Sequence, residues 1–189
     1  MKRKPKSNKG SAKKTAAAKK TTAAKKTALG KKKVSFIPAG YQPVTPYLSI
    51  RRAAQAIDFY KKAFGVEEIM RMPGPGAEGK LGHAEISIGG ARIMLSDEYP
   101  VMGFVGPQTR GGTTVHLHVY VPDVDAMVER AVAEGAKLIR AVQDQFYGDR
   151  SGTVEDPFGH VWHFATHKED LSEAEMKKRA EQAVKPAGG

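Results

Sequence analysis

The 189 residues include no cysteine, which excludes disulfides, thiolate zinc sites and thiol catalysis. No apolar run approaches the roughly 20 residues that a membrane-spanning helix needs. Residues 1–33 contain no acid and no apolar core segment, so this basic stretch does not read as a secretory signal, and a cytoplasmic location is expected. No glycine motif opens a helix as a phosphate cradle requires; Pro73–Gly76 and Gly106-Pro107-Gln108 read as loops.

Charge is unevenly spread. The net charge is +11, but residues 1–33 alone hold 14 Lys/Arg, leaving 17 basic and 20 acidic residues elsewhere. The basicity therefore belongs to a Lys/Ala-rich tail, in which AKKT recurs at Ala12–Thr15, Ala18–Thr21 and Ala24–Thr27. That composition has little apolar mass to bury and predicts disorder. Clustered lysines also predict non-specific, salt-dependent association with nucleic acid, the alternative being a solubilising extension.

The remaining chain repeats itself. Gly65 recurs as Gly135, Gly89-Gly90 as Phe158-Gly159, and the apolar run Val44–Ile50 as Val115–Val121, at spacings of 69 to 71 residues. Residues 34–43 read as a linker. The first half, 44–98, reads as a strand over 44–50, a helix over 53–64 closed by Gly65, and strands over 67–72, 83–88 and 91–96. Residues 99–114 form a Gly/Pro-rich connector. The second half, 115–169, reads as a strand over 115–121, a helix from Pro122-Asp123 to about Glu134 with Val124, Met127, Val128, Ala131 and Val132 inward, and strands near 137–142, 151–155 and 161–166. A charged helix is expected over 172–184, within a C-terminal segment 170–189. The expected class is α+β: two tandem βαβββ modules forming a curved mixed sheet around a cleft, which suits a small molecule.

Particular runs sharpen this. Pro46-Tyr47-Leu48, Ala56–Gly65, His83-Ala84-Glu85, Ile93–Asp97, Asp123-Val124-Asp125, Tyr147–Gly152 and Asp156-Pro157-Phe158-Gly159-His160 together resemble the vicinal-oxygen-chelate superfamily of glyoxalase I, bleomycin-resistance proteins and extradiol dioxygenases. The resemblance spans residues 41 to 169 and is nearest to the glyoxalase-like subgroup named after the phosphonate operon. It implies a homodimer. In metal-dependent members it implies four inward ligands for a divalent ion, at positions that map onto Thr45, Met94, His116 and His163. Only the two histidines suit a divalent metal, and the set lacks a carboxylate; a His pair binds late first-row ions better than magnesium, and zinc, nickel, manganese or iron are the candidate ions.

His118 shares a strand face with His116 by period two, and both also read as cleft histidines bonded to neighbours. Glu85 is the candidate general base, on a face shared with His83 and Ser87; alternation leaves open whether that face points inward. Tyr47, Met94, Phe104, His118, Tyr147 and Arg150 are the candidate ligand-binding residues. Arg150 reads either as an anion clamp or as a structural pair with Asp149, and Trp162 as core beneath a helix. Two functions follow. One is a small-molecule binding protein with a degenerate metal site and a nucleic-acid-associating tail. The other is a metal-dependent lyase, isomerase or related enzyme in which the ion stabilises an enolate.

Overall fold

The computed structural model describes residues 34–76 and 78–184. The Lys/Ala-rich segment, with the nucleic-acid expectation it carries, lies outside the described residues. A compact unit begins at Phe36. Its first module is β1 (Tyr47–Ile50), α1 (Ala53–Phe64), β2 (Glu67–Pro73), β3 (Leu81–Ile88) and β4 (Ala91–Asp97). A single 3-10 turn at Pro100–Met102 and a four-residue helix, α2 (Pro107–Arg110), follow. The second module is β5 (His116–Tyr120), α3 (Val124–Ala133), β6 (Lys137–Asp144), β7 (Asp149–Glu155) and β8 (Val161–His167), and α4 (Glu173–Val184) comes last.

The two sheets have one topology, β1-β4-β3-β2 and β5-β8-β7-β6. In each, the first strand runs parallel to the fourth and the other pairs are antiparallel. The fold is α+β with two tandem βαβββ modules, as the internal repeat predicts.

Helix α1 turns Ala53, Ala56, Ile57, Tyr60, Ala63 and Phe64 inward at helical spacing. Its start is unusual. Arg52 takes the left-handed conformation (φ 67°) and supplies no side-chain cap. Asp97, at the end of β4, accepts instead from the backbone N–H groups of Arg52 (3.0 Å) and Ala53 (3.1 Å), and from that of Leu81 (2.7 Å). The helix N-terminus is thus capped from another strand. Gly65 ends the helix at φ 68°, where a side chain would be strained.

The core crosses between modules. Tyr60, Phe64, Trp162 and Phe164 pack as one aromatic cluster, with Phe64 and Trp162 centroids 4.9 Å apart. Asp156 lies beneath it, and its two oxygens accept four bonds: from the backbone of Phe158 and His160 (2.9 Å each), the Trp162 indole (2.9 Å) and the Tyr60 hydroxyl (2.7 Å). The Asp-Pro-Phe-Gly-His turn of the second module is thereby locked to the helix of the first.

Two local expectations are corrected. The first strand begins at Tyr47 rather than Val44, which is 84% exposed. Pro46 has no N–H to give a ladder; its carbonyl accepts from Met94 at 2.9 Å. Val132 is not inward: α3 turns Val124, Met127, Val128 and Ala131 to the core and leaves Val132 exposed.

Candidate functional site

Each sheet has one face under its helix and one face away from it. In the first module, register places Tyr47, Met94, Glu85 and Met70 in one row across β1, β4, β3 and β2. Leu48, Leu95 and Ala84 form the adjacent, buried row beneath α1. In the second module the row equivalent to Tyr47–Met94–Glu85 is His118–His163–Thr153. The away-facing positions hold the chemistry. Tyr47 and Tyr120 remain 45% and 59% exposed, and His116 and His118 are exposed too.

On the first face, Glu85 is buried and fully engaged. It accepts from the Tyr41 hydroxyl, from Arg92 Nη1 at 2.6 Å, and meets His83 Nε2 at 3.2 Å. Burial by itself pushes the carboxyl up, but the bonds from Tyr41, Arg92 and His83 outweigh it and hold Glu85 below its ordinary value. The Arg92 guanidinium also sits 4.7 Å over the Tyr41 ring, and its Nε is buried with no partner among the described residues. His83 continues the chain to Tyr47, whose hydroxyl lies 3.1 Å from Nδ1.

Tyr47 and Phe104 face each other with centroids 6.3 Å apart. With Tyr99, Met102, Pro75, Gly82 and Ser96 they line a cavity of about 220 Å³. The connector closes this wall: Tyr99 and Phe104 exchange backbone hydrogen bonds of 2.7 and 3.1 Å across the 3-10 turn.

On the second face, His116 Nδ1 and His163 Nε2 lie 2.9 Å apart, and His163 Nδ1 lies 2.7 Å from Thr153 Oγ1. Burial, with the neighbouring His116 and His118, lowers the His163 pKa. His118 stacks beside His163 with ring centroids 6.2 Å apart, and its ring lies tilted 4.9 Å from that of Tyr120. At the far end Tyr120 donates to the buried Asp149 at 2.9 Å, and Asp149 pairs with His167 Nδ1 at 2.7 Å. Asp149, then Asp170, raise the pKa of His167.

The remaining sequence-derived candidates fall elsewhere. Thr45 precedes β1, and its hydroxyl donates to the Gln42 carbonyl at 3.1 Å. Arg150 is not paired with Asp149. Its fork is held by Asp125 of α3, with two bonds of 2.7 Å, and by Asp144 at 3.1 Å, so it ties β7 to the helix. Tyr147 packs its ring edge-on to Phe146 at 5.2 Å. Trp162 is fully buried under the helices. Sequence reasoning missed Tyr41, Arg92, Tyr99 and Met102. Arg92 was accessible from β4 alternation, opposite Ile93; Tyr41 sat in a presumed linker and gave no signal.

The divalent ion implied by the resemblance can be tested against these donors. Among the described residues, no group of three or more His, Asp or Glu side chains converges as a metal would require. The two imidazoles fall short of three protein ligands, and Glu85, a carboxylate of the first face, is already engaged by three side chains. The donor set does not fit such an ion.

Comparison with known proteins agrees with the topology. The model of the "Glyoxalase/Bleomycin resistance protein/Dioxygenase superfamily" matches residues 43–164. An uncharacterized protein of Mycobacterium tuberculosis (strain H37Rv) is 48% identical over 122 residues, 63% of this chain and 71% of that protein. Among solved structures, TioX from Micromonospora sp. ML1 is 26% identical with a TM-score of 0.53, over 69% of this chain and all of that one. A PhnB protein from Bacillus cereus, titled a putative 3-demethylubiquinone-9 3-methyltransferase, is 21% identical with a TM-score of 0.53, over 66% of this chain and 99% of that one, and shows the shared fold alone.

Proposed function

We propose that this chain, which belongs to the glyoxalase/bleomycin resistance protein/dioxygenase superfamily, binds a small molecule on the away-facing surfaces of its modules without a resident metal ion. The observation that carries this reading is that none of the four positions the resemblance marks for an ion, Thr45, Met94, His116 and His163, carries an acid. Met94 and His163 hold corresponding positions, only His116 and His163 bring nitrogens together, and Thr45 lies outside the strand. Against that, Tyr47, Tyr99, Phe104 and Met102 offer apolar and aromatic surface around a cavity. Such surface suits a ligand with a planar apolar body.

In this reading Tyr47, Phe104, Met94 and His118 contact the ligand. Tyr147 and Arg150 do not: one packs on Phe146 and the other is tied up by Asp125 and Asp144. Glu85 holds Arg92 and Tyr41 in place rather than acting as a base, because a carboxyl held low is a poor proton acceptor near neutrality. A homodimer, in which a second copy covers these open faces, belongs to the same proposal. So do a cytoplasmic setting and nucleic-acid association through residues 1–33. No helix among the described residues is long and apolar enough to cross a membrane.

A second reading, a metal-dependent lyase or isomerase, is favoured by the 2.9 Å approach of His116 Nδ1 to His163 Nε2. The two readings separate in one experiment. The full chain is titrated calorimetrically with a panel of aromatic oxygenated compounds, once stripped with chelator and once loaded with zinc or nickel. Binding that is equal in both states and about tenfold weaker in Phe104→Ala supports the binder. Binding or turnover only in the loaded state, lost in His116→Ala, supports the enzyme.

A further inference from the structure

The polar side-chain atoms of the aromatic cavity are hydroxyls. Among the described residues no charged side chain lines it; Tyr47, Ser96 and Tyr99 each bring one hydroxyl beside the apolar Pro75, Met102 and Phe104. What a hydroxyl offers a ligand depends on where its proton goes. Ser96 Oγ donates to the Asp97 carbonyl at 3.1 Å, and Tyr99 donates to the Leu81 carbonyl at 3.3 Å. Tyr99 reaches that carbonyl over bare backbone: a Cβ at Gly74 would overlap its hydroxyl, so only glycine leaves it room. Both protons are spent on carbonyls.

The proton of Tyr47 is directed by the partners behind it. Arg92 Nη1 lies 2.6 Å from Glu85 Oε2, so the carboxylate has its counter-charge without a second cation. An ionised carboxylate only accepts, so His83 Nε2, 3.2 Å from Glu85 Oε1, carries the ring's single proton. Nδ1 is then a lone pair, and the Tyr47 hydroxyl, 3.1 Å away, donates to it. His83 does not line the cavity, so this donation turns the third proton out of it. The phenol oxygen keeps a second lone pair, on a side chain that is itself half-exposed. The cavity therefore presents hydrogen-bond acceptors and no side-chain donor. A ligand N–H or O–H finds a partner there, whereas a ligand ether or carbonyl oxygen loses its water and gains no side-chain bond in return.

We propose that this cavity, taken as the ligand site of the proposed function, selects uncharged aromatic molecules that carry an N–H or O–H donor, which the Tyr47 oxygen accepts while His83 and Glu85 orient it.

The test uses the full chain and two probes of one shape, indole and benzofuran, which differ by an N–H in place of an ether oxygen. Calorimetry is run at pH 8.5, above the range in which histidine ordinarily gains a second proton. The wild type is expected to bind indole about fivefold more tightly than benzofuran. Tyr47→Phe abolishes that preference. Phe104→Ala weakens both probes about tenfold and keeps the preference. Arg110→Gln, in the separate cavity of about 1010 Å³ that the connector lines, leaves both affinities unchanged. The imidazole 15N spectrum gives a second readout, one that a merely structural role for His83 would not move. In the free protein the proton sits on His83 Nε2; indole shifts the Nδ1 resonance upfield, because an oxygen that accepts donates more strongly, and benzofuran does not. Equal affinities or tighter benzofuran in the wild type, a preference that survives Tyr47→Phe, a ring proton on Nδ1, or an Nδ1 resonance unmoved by indole overturns the proposal. If the affinities are equal yet both fall in Phe104→Ala, this selectivity fails and the proposed binding site stands. If Phe104→Ala changes neither affinity, if Arg110→Gln weakens both, or if neither probe binds, the site fails with it.

Discussion

Met94 and His163 are counterparts. Met94 stands between Tyr47 and Glu85 in the first sheet, and His163 stands between His118 and Thr153 in the second. The duplicated frame therefore presents the same three positions twice with opposite chemistry. One row joins a phenol, a thioether and an engaged carboxylate; the other joins two imidazoles and a hydroxyl.

That contrast predicts a split among the histidines. Burial and the adjacent imidazoles lower His163, so its NMR titration midpoint falls below the usual ~6.5. Asp149 and Asp170 raise His167, so its midpoint lies above. The signs for stability are opposite. A lowered folded-state value means that the unfolded chain takes the proton first, so the His163 contribution is present above ~6.5 and is lost as pH falls. The His167 contribution is present below ~6.5 and is lost as pH rises through its raised value. Residue-resolved titration, with His163→Gln and His167→Gln unfolding curves at pH 5 and 8, checks both. A His163 midpoint above that of His167 is the contrary result.

The inter-module lock through Asp156 predicts a large stability effect. Asp156→Ala leaves the buried Tyr60 hydroxyl and Trp162 indole without their acceptor. The cost is roughly 3 kcal/mol, or about 6–12 °C in Tm. Tyr60→Phe removes one donor and costs about 1–2 kcal/mol. Thermal unfolding measures both; equal, small losses contradict the lock.

Phe104 is 42% exposed on the open face, so Phe104→Ala is expected to leave stability within about 1 kcal/mol. Affinity for an aromatic ligand drops about tenfold. Calorimetry beside a melting curve separates the two effects, and the reverse pattern assigns Phe104 to packing.

Much of the frame was legible because it rests on periodicity. The repeat of Gly65 at Gly135, the alternation through β5, and the helical spacing of Ala56, Ile57, Tyr60, Ala63 and Phe64 each encode a local rule. The site was legible only in part. Alternation put His116 and His118 on one face but did not say that His116 would meet His163 across a diagonal. Arg150 and Asp149, adjacent in sequence, point to opposite faces of β7 and therefore find different partners. Tyr41 reaches Glu85 across 44 residues of chain, a contact that no local pattern encodes.

Residues 1–33, with 14 basic side chains and no acid, predict salt-sensitive retention on DNA. Deleting them is expected to abolish retention at low salt and to leave small-molecule affinity unchanged. Unchanged retention removes the nucleic-acid reading.

The central claim is that the away-facing surfaces bind a small molecule through a donor set unsuited to a resident ion. The most direct measurement is the metal content of the full chain purified without chelator, by elemental mass spectrometry. The account predicts well below one zinc, nickel, manganese or iron per chain, unchanged in His116→Ala. Near-stoichiometric metal that disappears in His116→Ala contradicts it.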